Sequence, residues 1–283
     1  MSFPVTVVTV AFGNSKVVRN WAERWSCTGA SCLVCDNGGQ LSSGDAGRAG
    51  VLPYEGNNGF GAGINRAVEH SSTPIVLVTN PDTLPGDEMS LRRLLELHSS
   101  GALTGGRTLA TSGEEVHSTG VWPSRSWVRS QIFGKARSLW KPDRYDWLQG
   151  SLIMVNRDDF LDLGGFSERF PLYFEDVDLC ARARKRGMKI RYCRESSFVH
   201  DEGSGSSRVT ATRLSCFHWG MLEYFKAHDP GNAEAVRRLI LLKCILRMAA
   251  LSLRDAEAVR GYRRALRSIV SGVAPSLPGA VDG

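Results

Sequence analysis

Val5-Thr6-Val7-Val8-Thr9-Val10-Ala11-Phe12 is an apolar, β-branched run without helical period, bounded by Pro4 and by Gly13-Asn14. Such a run predicts a central strand buried on both faces. A helix is expected over residues 16–25, then a second strand over 31–35, closed by the turn Asp36-Asn37-Gly38-Gly39. Residues 42–50 are small, polar and glycine-rich, which predicts a mobile connection. Glycines then crowd the stretch from Glu55 to Gly63, where a helix opens that reaches His70. Residues 73–79 give a third apolar strand ending in Asn80-Pro81-Asp82. Pro81 cannot extend a central strand, so the chain turns there and leaves Asp82 at the rim of the sheet. Residues 88–99 predict an amphipathic helix.

The second half is less regular. Residues 105–145 show no clear period, and Trp122, Trp127 and Trp140 stand among Arg, Ser and Gly. Indoles so placed either stack on a sugar or base or pin a long loop to the domain, and the second use fits most of them. A strand is expected over 152–156, a helix over 158–163 and a turn at Gly164-Gly165-Phe166. A helix over 179–185 ends in Arg184-Lys185-Arg186-Gly187, basic residues and then glycine, as a helix C-terminus should. A last strand over 188–193 precedes His200 and a glycine-serine run at 203–207 whose composition suits a mobile lid. Helices are expected over 209–227 and 233–271, and a disordered tail over 274–283. The strand, helix, strand rhythm predicts an α/β fold with a mostly parallel sheet, whose ligands gather at the carboxyl ends of the strands.

Composition narrows this picture modestly. The 283 residues are 42% hydrophobic and 23% charged, an ordinary globular balance. The formal charge of +6 favours acidic partners, among them phosphorylated small molecules, anionic lipid and nucleic acid. No RNA- or DNA-binding motif supports the last of these. Seven scattered cysteines behind no secretory signal predict a reducing, cytoplasmic setting. Cys32 and Cys35 have CxxC spacing, but a strand sends residues three apart to opposite faces, which argues against a shared zinc. The apolar stretch 239–253 is broken by Lys243 and Arg247 and falls short of the roughly 20 residues that span a bilayer.

Chemistry concentrates in Phe170-Pro171-Leu172-Tyr173-Phe174-Glu175-Asp176-Val177-Asp178. Carboxylates in the first turn of a helix complement its dipole, and that structural role suffices for their presence. A carboxylate beside apolar rings is also partly desolvated, which raises its pKa and makes it a better proton acceptor. Asp36 and Asp82 each admit two readings, a turn former or a ligand-binding carboxylate at a strand end. The glycines before the helix at 60 would let N–H groups approach an anion, yet this is neither a P-loop nor a dinucleotide fingerprint.

Taken in order, several motifs resemble the inverting GT-A glycosyltransferases of family 2, rhamnosyltransferase-like branch. They are Thr9-Val10-Ala11-Phe12-Gly13-Asn14, Asp36-Asn37-Gly38, Asn57-Asn58-Gly59-Phe60-Gly61-Ala62-Gly63-Ile64-Asn65, Asn80-Pro81-Asp82, Gly164-Gly165-Phe166-Ser167-Glu168-Arg169-Phe170, Glu175-Asp176-Val177-Asp178 and His200. The resemblance spans residues 4–203. It implies a catalytic domain over 1–207, with a nucleotide-binding part to about 104 and an acceptor-binding part beyond it, then a helical extension over 208–273.

By the same resemblance, Thr9, Ala11 and Asp36 would hold the nucleoside of a dTDP- or UDP-linked donor. Asn58, Gly59 and Asn65 would stand near it. Asp82 would be the last carboxylate of an Asp-x-Asp motif and His200 the second protein ligand of Mg²⁺ or Mn²⁺. Asp176 would be the general base, supported by Glu175 and Asp178, with Trp147 and Asp178 on the acceptor side. One departure is Asn80 in place of the motif's first Asp. An amide is a weaker cation ligand than a carboxylate, so metal affinity should be modest. The Asn-Pro-Asp form occurs in the rhamnosyltransferase-like branch.

The expected reaction is transfer of L-rhamnose from dTDP-rhamnose to a saccharide or lipid-linked saccharide during assembly of cell-surface polysaccharide such as O-antigen or cell wall. A UDP-hexose or UDP-galactofuranose donor is the nearest rival. A non-catalytic nucleotide-sugar or nucleic-acid binder is the alternative of another class. Lys243, Arg247 and Arg254 recur at helical spacing beside apolar residues. That pattern fits either peripheral contact with the inner face of the cytoplasmic membrane or packing against the catalytic domain or a second subunit.

Overall fold

The computed structural model describes residues 4–279 except 14, 43, 117, 134–137, 140, 142–143, 201–209 and 252–253. Trp140 and the glycine-serine run at 203–207 lie outside the described residues. In chain order the elements are β1 (Val5–Ala11), α1 (Ser15–Ser26), β2 (Ser31–Asp36), β3 (Gly50–Leu52), α2 (Phe60–Glu69), β4 (Ile75–Thr79) and β5 (Thr83–Pro85). Next come α3 (Ser90–Leu97), β6 (Ala102–Leu109), β7 (Glu115–Val116), β8 (Thr119–Gly120), α4 (Arg125–Phe133), β9 (Trp147–Leu148), β10 (Leu152–Asn156) and α5 (Arg157–Asp162). The chain then forms α6 (Glu175–Lys185), β11 (Lys189–His200), α7 (Ala211–His228), α8 (Pro230–Leu251) and α9 (Ala256–Ser271).

A nine-stranded sheet runs in the order β3-β2-β1-β4-β10-β6-β11-β5, with β7 on β6. β3, β2, β1 and β4 are parallel, whereas β10 enters antiparallel between β4 and β6. β11 is parallel to β6 and antiparallel to β5. The C-terminal ends of β1, β2, β4, β6 and β11 therefore share one edge, and Leu152 at the start of β10 pairs with Thr79 there.

β1 is buried at every position, as its lack of period requires. Val5, Val7 and Ala11 pack with Trp21 and Trp25 of α1, while Val8 and Val10 face Ile64 and Ala67 of α2. Burial of such side chains is worth about 1.5–3 kcal/mol each and drives the layering. The two indoles also serve as polar pins: Trp21 Nε1 donates to Thr79 Oγ1 at 3.0 Å and Trp25 Nε1 to the Thr83 carbonyl at 2.9 Å. Cys32 and Cys35 fall in the cores on opposite faces, and burial pushes the Cys32 thiol up to about 11.

Five expectations need correction. The helix expected over 233–271 is two, α8 and α9, with Asp255 capping the second. The connection expected to be mobile over 42–50 is pinned at two points, since Ala46 and Ala49 join the core, and Gly50 begins β3. The stretch 105–145 begins inside β6, a central strand hidden by Gly105 and Gly106. A Cβ on Gly105 would meet Leu148 Cδ2 at 2.8 Å, and one on Gly106 would meet Phe198 Cε2 at 2.8 Å. Neighbouring side chains fill the space that a strand-forming residue would have taken. The helix after the acidic stretch starts at Glu175, so the carboxylates lie within its first turn. Residues 274–279, expected to be disordered, lie against the domain: Pro275 is buried, and Arg264 Nη2 donates to the Ser276 carbonyl at 2.8 Å.

The C-terminal helices α7, α8 and α9 form a third core with Phe170, Phe174 and Val177. No helix among the described residues is long and apolar enough to cross a membrane.

Candidate active site

The shared carboxyl edge collects the acidic side chains. β4 ends at Thr79, and Asn80-Pro81-Asp82 turn the chain into β5. His200, at the end of β11, pairs with Thr83 of β5 and so stands beside this turn. Its Nε2 lies 3.3 Å from Asp82 Oδ1 and 3.4 Å from Asn80 Nδ2. Asp82 Oδ1 and His200 Nδ1 are buried without a hydrogen-bond partner among the described residues. Leaving such atoms unmatched is costly, which is why an unexplained orphan marks a place for something else.

Asp176 comes to the same edge by another route. Its Oδ2 accepts from the Gly150 amide at 2.9 Å and its Oδ1 from the Val177 amide at 2.8 Å. Gly150 stands two residues before Leu152, whose partner is Thr79, so the base candidate and the Asn80–Asp82 turn leave the sheet at the same end. Two consecutive non-glycine residues in the left-handed region, Tyr173 (φ 70°) and Phe174 (φ 71°), bring α6 into this position. Such a conformation is unfavourable by roughly 1–2 kcal/mol per residue and persists only where the surroundings dictate it. Those surroundings come from α7. Arg213 Nε donates to the Tyr173 hydroxyl at 2.7 Å, Phe174 packs on Phe217 and Tyr224, and Trp219 Nε1 donates to the Arg169 carbonyl at 3.0 Å.

Three carboxylates in one turn meet three environments. Burial pushes Glu175 well above the usual range, with the Asp176 charge adding to the effect, and its Oε2 has no partner among the described residues. Asp176 is raised as well, by burial, while the amides of Gly150 and Val177 pull the other way. It keeps partial exposure, whereas Glu175 is only 5% exposed. For Asp178, burial also raises the pKa, but the His228 ring and the Arg182 guanidinium outweigh it and hold the carboxyl below its usual value. The arrangement offers one accessible proton acceptor, Asp176, flanked by a carboxyl disposed to stay protonated and by a fixed anion.

Several expected ligand residues prove to be occupied. Thr9 is fully buried and donates to the Thr79 carbonyl at 2.9 Å, and Ala11 lies in the core. Asp36 accepts at Oδ1 from the Gly38 and Gly39 amides and at Oδ2 from the Leu41 amide, so it shapes its own loop. Asn65 binds both backbone groups of Phe166, at 2.7 and 2.8 Å, clamping the Gly165-Phe166 turn. Asp178 is 1% exposed and held by His228 Nε2 and Arg182 Nε, each at 2.7 Å. Trp147 is half-buried, its indole donating to the Val121 carbonyl at 3.0 Å.

Asn58 is exposed, and Gly59 begins α2 with φ 100° so close to the acidic loop that a Cβ would fall 2.2 Å from the Pro171 carbonyl oxygen. The sequence reading passed over Gln149 and Ser151, whose Oε1 and Oγ are buried beside Gly150 without partners among the described residues. It also passed over Asn37, whose Nδ2 donates to the Gly59 carbonyl at 2.9 Å. Asn37 sits in a motif already singled out, so its signal was available.

Comparison with known proteins bears on this edge. A family model described as the N-terminal domain of galactosyltransferase matches residues 132–201, the segment carrying Asp176 and His200. An N-acetylglucosaminyl-diphospho-decaprenol L-rhamnosyltransferase of Mycobacterium tuberculosis is 24% identical over 277 residues, 86% of this chain and 89% of the relative. A low-salt glycan biosynthesis hexosyltransferase of Haloferax volcanii is 29% identical over 168 residues, 56% of this chain and 53% of the relative. The chain is a glycosyltransferase, similar to these rhamnosyl- and hexosyltransferases. The mannosyltransferase PcManGT of Pyrobaculum calidifontis shares its fold, with a TM-score of 0.55 at 13% identity over 96% of this chain and 86% of that one. The transferase is thus an enzyme, and the non-catalytic alternative is set aside.

The strained turn gives a direct test. A Cβ on Gly220 of α7 would fall 2.5 Å from the Tyr173 carbonyl oxygen. Glycine to alanine inside a helix ordinarily stabilises by about 0.5–1 kcal/mol. Here Gly220→Ala should instead destabilise by about 1–3 kcal/mol in urea titration and lower transfer activity, because the turn must shift. Gly231→Ala, where nothing lies within 4 Å, should be neutral or stabilising.

Proposed function

We propose that the enzyme transfers a sugar from a nucleotide donor to a hydroxyl of a saccharide acceptor with inversion, and that Asp176 is its general base. The supporting observation is the Asp176 carboxylate, fixed by the Gly150 amide at the sheet edge where Asp82 and His200 meet. Asp176 takes the acceptor's proton as the hydroxyl oxygen bonds to the anomeric carbon. The bond from that carbon to the diphosphate oxygen breaks, and the nucleoside diphosphate leaves with the electron pair. Glu175 is buried beside it, and that burial pushes its carboxyl well above the usual range.

Asp82 and His200, with Asn80 beside them, fit a divalent cation, Mg²⁺ or Mn²⁺. Orphaned Asp82 Oδ1 next to an imidazole is a donor set these ions accept when the remaining sites go to phosphate and water. When bound, such an ion supplies positive charge to the donor's diphosphate. The Pyrobaculum neighbour was solved with GDP-mannose and Mn²⁺.

L-Rhamnose from dTDP-rhamnose is the donor best supported, by the Mycobacterium relative and by the Escherichia coli rhamnosyltransferase WbbL, 32% identical over 63 residues. A UDP-hexose or UDP-galactofuranose is favoured instead by the galactosyltransferase model over residues 132–201. The Mycobacterium relative's diphospho-decaprenol acceptor supports a lipid-linked saccharide, used at the inner face of the cytoplasmic membrane in polysaccharide assembly.

The surface suited to that membrane lies on α4 and α8. Ile245 (54% exposed), Leu246 (47%) and Leu242 form an apolar row on α8, with Phe133 at the end of α4. Arg125 and Arg129 line a groove with Phe133 and Leu239, and Arg238 and Arg247 flank the row. Lys243, expected on this basic face, is half-buried. A second copy docked by the same face would set these arginines against each other, whereas an anionic bilayer complements them.

Four measurements test the reading. Asp176→Asn should lower turnover by about 10²–10⁴-fold and leave nucleotide affinity nearly unchanged, while Glu175→Gln should retain most activity. In the wild type, kcat/KM should rise with pH along an acid limb placed above the ordinary aspartate value of about 3.9, because burial raises the Asp176 pKa. A limb at or below that value would remove Asp176 as base.

In a panel of nucleotide sugars with Mn²⁺, dTDP-rhamnose should give the largest thermal stabilisation, and Asp82→Ala should abolish the Mn²⁺-dependent part of it. A larger shift with a UDP-sugar would decide for the rival donor. Vesicles rich in phosphatidylglycerol should pellet the wild-type protein but not the Ile245→Ser/Leu246→Ser variant; equal pelleting would dismiss the lipid surface.

A further inference from the structure

Beyond α9 the chain runs back across the domain to the loop that precedes α2. Gly272 closes α9 in the left-handed conformation, Pro275 is buried, and Arg264 anchors the Ser276 carbonyl while its other nitrogen donates to Thr212 Oγ1 at 3.1 Å. The segment then receives three hydrogen bonds. Asn57 Nδ2 donates to the Pro278 carbonyl at 2.8 Å, the Asn57 amide to the Gly279 carbonyl at 3.1 Å, and the Tyr54 hydroxyl to the same carbonyl at 2.6 Å. These contacts join residues more than 220 positions apart.

What they hold leads into the cleft. Asn57 is buried, and its Oδ1 accepts from the Gly59 amide at 3.2 Å and from Asn37 Nδ2 at 3.4 Å. The Asn37 amide in turn donates to the Ala11 carbonyl at the end of β1, at 2.8 Å. Gly59 abuts Pro171, on the loop leading to Glu175 and Asp176. The segment leaves the rim rings open, since Phe12 is 57% and Tyr54 41% exposed beside it. It therefore fastens the loop from outside and does not cap the cleft.

We propose that residues 273–279 are a positioning strap: tied to α9, they hold the loop 53–59 in the conformation that receives the donor's nucleotide. The inference rests on the reading of this edge as a nucleotide-sugar site. The strap spares binding the entropy of ordering the loop, so loosening it should weaken the nucleotide complex. Gly279 offers a handle within the full chain, because its φ of +70° is disfavoured for a β-branched residue. Tyr54→Phe is a milder second variant that deletes one hydrogen bond and leaves the ring.

Hydrogen exchange of the ligand-free protein, read at the amides of 53–59, and calorimetric titration with dTDP and UDP in Mn²⁺ give two independent measurements. Gly279→Val should speed exchange at Asn57 and Gly59 and raise the nucleotide Kd by about ten-fold, with Tyr54→Phe moving both in the same direction by less. Unchanged exchange at the Asn57 amide in both variants would overturn the strap. Faster exchange with unaltered affinity would overturn its role in nucleotide binding. A wild-type protein that bound neither nucleotide, with exchange still faster in the variants, would sink the donor reading while leaving the loop contact in place.

Discussion

The site depends on a backbone conformation that the chain would not choose by itself. Tyr173 and Phe174 occupy the left-handed region in succession, and neither is glycine. Together they oppose folding by roughly 2–4 kcal/mol, a sum that α7 must offset through the Phe174 contacts, the Arg213 hydrogen bond and the close approach of Gly220. The return is geometric. The turn lets α6 begin with its acidic side chains at the sheet edge, one of them seated on the Gly150 amide. The helices after the sheet are thus part of the site's foundation, although none of their side chains is proposed to touch substrate.

Electrostatics then separates three neighbours of like charge. Asp178 receives a cation and an imidazole, Asp176 receives two backbone amides, and the buried Glu175 Oε2 receives no partner among the described residues. Carboxylates this close cannot all ionise cheaply in a site of low polarity, and the difference in their partners shifts their pKa values apart. The sequence Glu-Asp-Val-Asp looks uniform, but its members are chemically distinct because the fold meets each one differently.

That contrast explains what was legible beforehand. Strands β1, β2, β4 and β10 are legible as apolar runs, and Pro81 marks the turn that leaves Asp82 at a strand's carboxyl end. β6 was not legible, since Gly105 and Gly106 owe their places to Leu148 and Phe198, which lie far away in the chain. The resemblance pointed to Thr9, Asp36, Asn65 and Asp178 as ligands, and each also makes hydrogen bonds inside the protein. A sequence names the donors and acceptors at a strand end; which of them remain unspent is decided by partners that only the folded chain supplies.

Gly59 and Pro171 meet backbone to backbone, with no room for even one added carbon between them. One belongs to the loop entering α2 and the other to the approach to α6, so the opposing walls of the cleft share a fulcrum. The separation of these two loops is therefore set by main-chain contact, and side-chain variation around them leaves that separation unaltered.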